Sequence, residues 1–220
     1  MSAGDHGVIC GTCWARLPML PHPQCARCGH PTQGRRCRFC ELLPPFVRAV
    51  RSVCWVPHEV SSGVVHALKY HEWHSAALGI AQRIARLAWP IDVLAERAAL
   101  VPVPLAPVRE RERGFNQAQL IADGLAMDWC IPVWSQLLMR KRATETQTRL
   151  TPGERSANVH RAFSVCDGMS ESVRGRHLVL VDDVITTGAT LNACAAALFD
   201  AGARTISYAT FGRARASGDK

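Results

Sequence analysis

Apolar residues return along this chain in two rhythms. Val47 to Val56 is an apolar run that predicts a strand or hairpin. Ala77, Ile80, Ala81, Ile84 and Ala88 then recur at helical spacing on one face. Ala99 to Leu105 reads as a short buried strand, and Ala118, Ile121, Ala122 and Leu125 as the next helical stripe. Ile131–Trp134 and His177–Val181 read as strands. A helix with Leu191, Cys194, Ala195 and Leu198 on one side follows, and Thr205–Phe211 closes the pattern as a strand. Such alternation predicts an α/β domain with a mostly parallel sheet and flanking helices. Residues 1–45 carry no sustained period. They are rich in Cys, Pro, Gly and Arg and end at the Pro44-Pro45 break. The sequence therefore divides into a segment of residues 1–45 and a domain of residues 46–220.

The 220 residues are 48% apolar and 20% charged, which supports a packed core and excludes wholesale disorder. The longest stretch without Asp, Glu, Lys or Arg, Val184–Phe199, has 16 residues and includes Thr186, Thr187, Thr190 and Asn192. It is too short and too polar to span a bilayer. The opening residues lack the basic and apolar regions of a secretory leader, so a cytoplasmic protein without membrane insertion is expected. Net charge is +8, carried by 23 Arg and 3 Lys. Arg forks onto phosphates, so an anionic partner fits, either a phosphorylated metabolite or nucleic acid. A codon bias toward Arg accounts for the same composition.

Ten cysteines change the picture of the N-terminal segment, because six of them lie in residues 10–40 as three Cys-x-x-Cys pairs. Cys25, Cys28, Cys37 and Cys40 have the spacing of a closed tetrahedral Zn site, which would stabilise a segment with little core of its own. Reduced, unliganded thiols are the alternative. Arg27, Arg35, Arg36 and Arg38 lie beside the four thiols and would offset their charge. Four thiolates leave no open coordination position, so such zinc is structural. Cys10 and Cys13 form a pair without a second pair. It could take a second metal with His6, His22 or His30, compete for the first site, or be vestigial.

The segment VLVDDVITTGATL, residues 179–191, carries the most chemistry. An apolar strand runs into Asp182 and Asp183, and a Thr/Gly loop leads into a helix. Thr186, Thr187, Gly188, Ala189 and Thr190 offer hydroxyls and backbone N–H groups at a helix N-terminus, an anion cradle. Gly188 lets backbone approach a phosphate. Carboxylates at the C-terminal end of a strand sit where α/β sheets bind ligands, and they accept hydrogen bonds from a ribose diol. A Walker A loop is excluded by the missing Lys. A receiver domain is excluded because 37 residues follow Asp183. A plain strand–turn–helix remains the alternative.

This segment resembles the 5-phosphoribosyl-1-diphosphate (PRPP) signature of type I phosphoribosyltransferases. Together with CARCGHP, HALKYHEW, VPVPLAPVRERERGFNQAQ and KRATETQTRLTPGERSANVHRAF, the sequence resembles the ComF/GntX-like family nearly end to end. That family joins an N-terminal zinc ribbon to a phosphoribosyltransferase-like domain. Its longer members carry a further Cys-x-x-Cys pair upstream of the one matching Cys10 and Cys13, which this sequence lacks. The resemblance implies that Asp182 and Asp183 hold the ribose hydroxyls and that Thr186–Thr190 hold the 5′-phosphate. It also implies that Mg²⁺ bridges diphosphate and ribose oxygens, and that Val103 and Pro104 belong to a diphosphate loop. Arg113 and Asn116 are expected to face the site. Residues 140–161 read as a long basic loop that closes over PRPP, where Arg142, Arg149 and Arg155 would stabilise the departing diphosphate; a solvated basic loop is the alternative. Lys69 and Tyr70 read as surface helix positions, with a supporting role behind the site residues or a docking role as the alternative, and His66, His71 and His74 have no assigned role.

Two function classes follow. One is an Mg-dependent phosphoribosyltransferase that passes the sugar to an unidentified nitrogenous acceptor and releases diphosphate. The other is a non-catalytic PRPP sensor or single-stranded-DNA-binding protein in natural transformation, working with the DNA-uptake machinery.

Overall fold

The computed structural model describes residues 9–32, 37–70, 74–140 and 162–215. The N-terminal segment forms two short helices, α1 (Gly11–Ala15) and α2 (Arg38–Glu41). Strand β1 (Val47–Val56) follows, then helices α3 (Glu59–Tyr70), α4 (His74–Ala85) and α5 (Ile91–Glu96). Strand β2 (Arg97–Pro102) leads to α6 (Pro107–Arg113) and α7 (Gln117–Trp129). A small antiparallel pair, β3 (Leu138–Arg140) and β4 (Phe163–Val165), precedes α8 (Ser170–Val173). Strand β5 (His177–Ile185), helix α9 (Ala189–Asp200) and strand β6 (Thr205–Ala214) complete the fold. The central sheet runs β1-β6-β5-β2 with every pair parallel, the α/β architecture that the alternating pattern predicts.

Both faces of the sheet are covered, which is why its strands read as near-continuous apolar runs. On one face α3, α4 and α7 press Leu68, Ile80, Ile84, Ile121 and Leu125 onto Val53, Val179, Val181 and Phe211. Helices α4 and α7 approach closely at Gly124, where a Cβ would stand 2.9 Å from the Ala81 methyl. On the other face α9 buries Leu191, Cys194 and Leu198 against Leu178, Leu180, Ile206 and Tyr208.

The N-terminal segment shares these cores. Ile9 and Leu17 belong to the first, and Cys28, Phe39 and Leu43 to the second. Trp14 meets Phe211 edge-on and carries the Arg83 guanidinium 3.6 Å above its ring. The segment also covers the outer edge of β1, where Val50 N–H donates to the Arg27 carbonyl (3.0 Å) and Trp55 N–H to that of Pro18 (2.8 Å). An edge strand with unpaired amides would invite another chain.

Several local expectations are revised. Val47–Val56 is one strand, not a hairpin. Helix α4 stops at Ala85, so Ala88 falls outside it. The strand expected over Ala99–Leu105 ends at Pro102, before the Pro104 ring. Ile131–Trp134 makes only a single parallel bridge, Val133 to Leu100, outside β2. Pro132 has no N–H to give a ladder, and its carbonyl instead accepts from Leu100 N–H at 2.9 Å.

His177 opens β5 fully inside the protein (1% exposed), with Nε2 2.9 Å from the Ser207 hydroxyl. Burial pushes its pKa down to about 4 from an ordinary 6.5. The unfolded chain therefore binds the extra proton between those values. Stability is complete above pH 6.5 and is lost as pH falls toward 4, by about 3 kcal/mol in all. Denaturant titrations of the wild type against His177→Gln should show this loss in the wild type alone, over that window.

Candidate functional site

Consecutive strand residues face opposite ways. Asp182 continues the Leu178–Leu180 row toward α9, and Asp183 continues the Val179–Val181 row toward α3. Asp182 is half-buried and lines a small open pocket of about 60 Å³ whose remaining wall is residues 184–191, which include all of Thr186–Thr190. Asp183 is buried, 6% exposed. Each carboxylate accepts from the next backbone amide, Asp182 Oδ1 from Asp183 N and Asp183 Oδ1 from Val184 N, both at 2.8 Å. Burial, reinforced by the Asp183 charge, raises the Asp182 pKa well above the usual carboxylate range. Thr186, Thr187, Ala189 and Thr190 are exposed around the loop. Gly188 has φ +81° and caps α9, and Ala189 N–H donates to Thr187 Oγ1 at 3.4 Å. The turn therefore presents hydroxyls and the positive end of a helix beside a carboxylate.

Lys69 corrects the surface placement expected of it. Its ammonium sits 2.5 Å from Asp183 Oδ2, and its side chain is 24% exposed. Helix α3 packs Val64, Val65 and Leu68 into the core, and this lays its last turn over the end of β5. Helical periodicity marks the apolar face of α3 but does not show that the next residue reaches across to a carboxylate 114 positions later.

Val103 is buried, and its N–H donates to the Val181 carbonyl at 2.9 Å, carrying the β2–β5 pairing one step further. Asn116 anchors this loop. Its Nδ2 donates to the Val103 carbonyl (3.0 Å), while its Oδ1 accepts from Ala118 N–H (2.9 Å) and caps α7. Arg113 donates to the buried Gln117 amide oxygen at 3.0 Å. Pro104 and Asn116 line an open groove of about 1130 Å³ together with Phe115, Gln119, Met139 and Arg140. Arg142, Arg149 and Arg155 lie outside the described residues. The ends of the segment that carries them are joined by β3 and β4, where Arg140 pairs with Phe163 beside that groove.

The four cysteines Cys25, Cys28, Cys37 and Cys40 converge, with every Sγ within 4.8 Å of the others. Cys25 and Cys40 stand 3.5 Å apart, and Cys28 and Cys37 3.3 Å. Zn–S bonds of about 2.3 Å in a tetrahedron set an S···S edge of about 3.8 Å, so the donor set and its size fit zinc. Burial pushes the Cys28 thiol up and Cys40 up to about 11. At Cys25 burial acts in the same direction, but the Cys28 and Arg27 amides outweigh it and bring the thiol to about 7.

Cations lie beneath this cluster at positions the sequence does not flag. Arg51 from β1 donates to the carbonyls of Ala26 (2.9 Å) and Arg27 (3.1 Å), and the fully buried Arg213 from β6 donates to that of Cys28 (2.6 Å). Arg213 also lies 4.4 Å over the Phe39 ring. Of the expected flanking arginines, Arg27 ties the segment to the Pro44 and Val47 carbonyls, Arg38 is exposed, and Arg35 and Arg36 lie outside the described residues. Cys10 and Cys13 are exposed on α1, and no third Cys, His, Asp or Glu joins them among the described residues. His30 stacks flat on Phe39, and His6 lies outside the described residues.

Asn192 connects the cysteine segment to the loop. Its Nδ2 donates to the Leu42 carbonyl (2.8 Å), its Oδ1 accepts from the Tyr208 hydroxyl (3.0 Å), and its N–H bonds the Gly188 carbonyl (2.8 Å). Replacing Asn192 by Ala leaves the Tyr208 hydroxyl without its acceptor and should cost about 1–2 kcal/mol in urea denaturation. Asn192→Asp keeps that acceptor but sets a carboxylate oxygen against the Leu42 carbonyl, so it should not restore wild-type stability.

Residues 78–220 match the profile of the Phosphoribosyl transferase domain. Over 213 residues the chain is 35% identical to the DNA utilization protein YhgH of Salmonella typhi, spanning 92% of this chain and 88% of that one. It is 30% identical over 195 residues to Competence protein F of Haemophilus influenzae, spanning 84% and 81%. It is 28% identical over 209 residues to Competence protein ComFC of Bacillus subtilis, spanning 88% and 79%. No helix among the described residues is long and apolar enough to cross a membrane. From the strand-end acids, the loop they adjoin and these likenesses, the chain belongs to the phosphoribosyl transferase domain family, in its YhgH/ComF branch.

Proposed function

We propose that this chain binds Mg²⁺-PRPP at the C-terminal ends of β5 and β2 and transfers the phosphoribosyl group to a nitrogenous acceptor. The observation that carries this reading is the cavity walled by Asp182 and residues 184–191. Its exposed threonines and helix N-terminus suit the 5′-phosphate, and its carboxylate suits a ribose hydroxyl. In the reaction the bond from the anomeric carbon to the diphosphate oxygen breaks, and diphosphate keeps the electron pair. The acceptor nitrogen donates its lone pair to that carbon and passes its proton to solvent. Asp182 and Asp183 orient the sugar, and Mg²⁺ neutralises charge on the diphosphate. The loop at Val103 and Pro104, held by Asn116, faces the leaving group, as does Arg113; Arg142, Arg149 and Arg155 are the further cations assigned to stabilise the departing diphosphate. Rate enhancement comes from orientation and from stabilising the departing anion.

We further propose that Cys25, Cys28, Cys37 and Cys40 hold structural zinc and that the protein works in the cytoplasm. The second reading is a non-catalytic PRPP sensor or single-stranded-DNA-binding protein serving DNA uptake. The names of the relatives, DNA utilization and competence proteins, and the +8 charge favour it. Release of diphosphate with a nitrogenous base distinguishes the first reading. DNA affinity that falls steeply with salt distinguishes the second.

The double variant Asp182→Asn/Asp183→Asn should fold and lose calorimetric binding of Mg²⁺-PRPP; unchanged affinity would overturn the assignment. Cys25→Ser should lose bound metal by elemental analysis and lower the melting temperature, because a three-thiolate set cannot close the tetrahedron. Full zinc content in that variant would remove the four-cysteine site.

A further inference from the structure

Two carboxylates at consecutive positions make a poor reception for a polyanion. PRPP carries a phosphate and a diphosphate, and like charges a few ångström apart repel strongly where water is excluded. The fold places one cation at this point. Lys69 Nζ contacts Asp183 Oδ2, and Val184 N–H holds Oδ1, so both oxygens of Asp183 have a fixed partner. The Lys69 charge also acts favourably on ionised Asp182. Its helix is held by the buried side chains of Val64, Val65 and Leu68, so the ammonium is delivered from a rigid element.

We propose that Lys69 is a positioning residue of the PRPP site, acting through Asp183: it locks that carboxylate's orientation and offsets its negative charge at the end of β5. This rests on the PRPP reading above. A purely structural ion pair predicts something different. Buried pairs add little net stability compared with neutral groups of similar size, so removing both charges together should leave the fold intact. If Lys69 serves only the fold, Lys69→Met protein that melts as the wild type does should bind Mg²⁺-PRPP as tightly as the wild type.

The test is a double-mutant cycle on Mg²⁺-PRPP affinity by calorimetry, with thermal melting as the fold control. Lys69→Met should weaken binding by about tenfold or more, and Lys69→Arg should recover most of the loss. The double variant Lys69→Met/Asp183→Asn should bind no more weakly than Asp183→Asn alone, since Lys69 has nothing left to position. Where Lys69→Met alone does not fold, Lys69→Gln, which can still donate a hydrogen bond to Asp183 Oδ2, carries the test, and wild-type affinity in that variant overturns the inference. Equal affinity of wild type and Lys69→Met overturns the inference and leaves the PRPP reading standing. So does a double variant whose loss is the product of the two single losses. Wild-type protein that binds no PRPP removes that reading, and this inference with it.

Discussion

The alternation of side chains along a strand is the constraint on which this site depends. Asp182 and Asp183 are neighbours in sequence and are delivered to opposite faces of the sheet. One faces the Thr/Gly turn, and the other faces Lys69 at the end of α3. Strand β5 sits between β6 and β2, buried on both faces, so its register is fixed on each side by apolar packing. A slip of one residue would exchange the two acids and bring Val179 and Val181 into the wrong core. The same burial that makes the strand rigid presents its final two polar side chains to two separate environments.

A second dependence lies at the other edge of the sheet. The Cys25–Cys28 turn has almost no apolar interior of its own. It rests on the guanidinium groups of Arg51 and Arg213, which grip its carbonyls from below. Burying such cations is costly unless they are paired or bonded. Carbonyl oxygens supply part of the compensation. A tetrathiolate centre with a divalent ion would supply the rest, since it carries net negative charge above them. The sulfur cluster and the buried arginines thus make electrostatic sense as a unit, and Asn192 extends the connection from Leu42 to the Thr/Gly loop.

The architecture was largely legible in the sequence, because the long elements have strong periods. The apolar rows of α4, α7, β5, α9 and β6 mark their own positions. The segments that escaped are those whose order comes from elsewhere. Helix α3 gains its place from packing on β1, and Ile131–Trp134 is held by two bonds to one residue, Leu100. The convergence of the four cysteines could be read from spacing, as could the acid pair and its loop. Arg51, Arg213 and Asn192 could not, and Lys69 could be singled out but not its Asp183 partner. Each acts across a separation that no local pattern encodes, and two of them occupy strand positions where an apolar residue is the default. Asn116 was legible as a site-facing residue, but the bonds it makes, to Val103 and to the α7 amide, are those of a brace.

Residues before Pro44 do more than carry sulfur. Their carbonyls close the hydrogen-bonding rim of β1, as Pro132 does for β2 on the far side. A truncated version beginning at β1 would keep its fingerprint motif yet bare the outer edge of that strand, where the Val50 and Trp55 N–H groups lose their carbonyl partners. Self-association through that edge, rather than loss of the pocket beside β5, would then limit its usefulness as an isolated fragment.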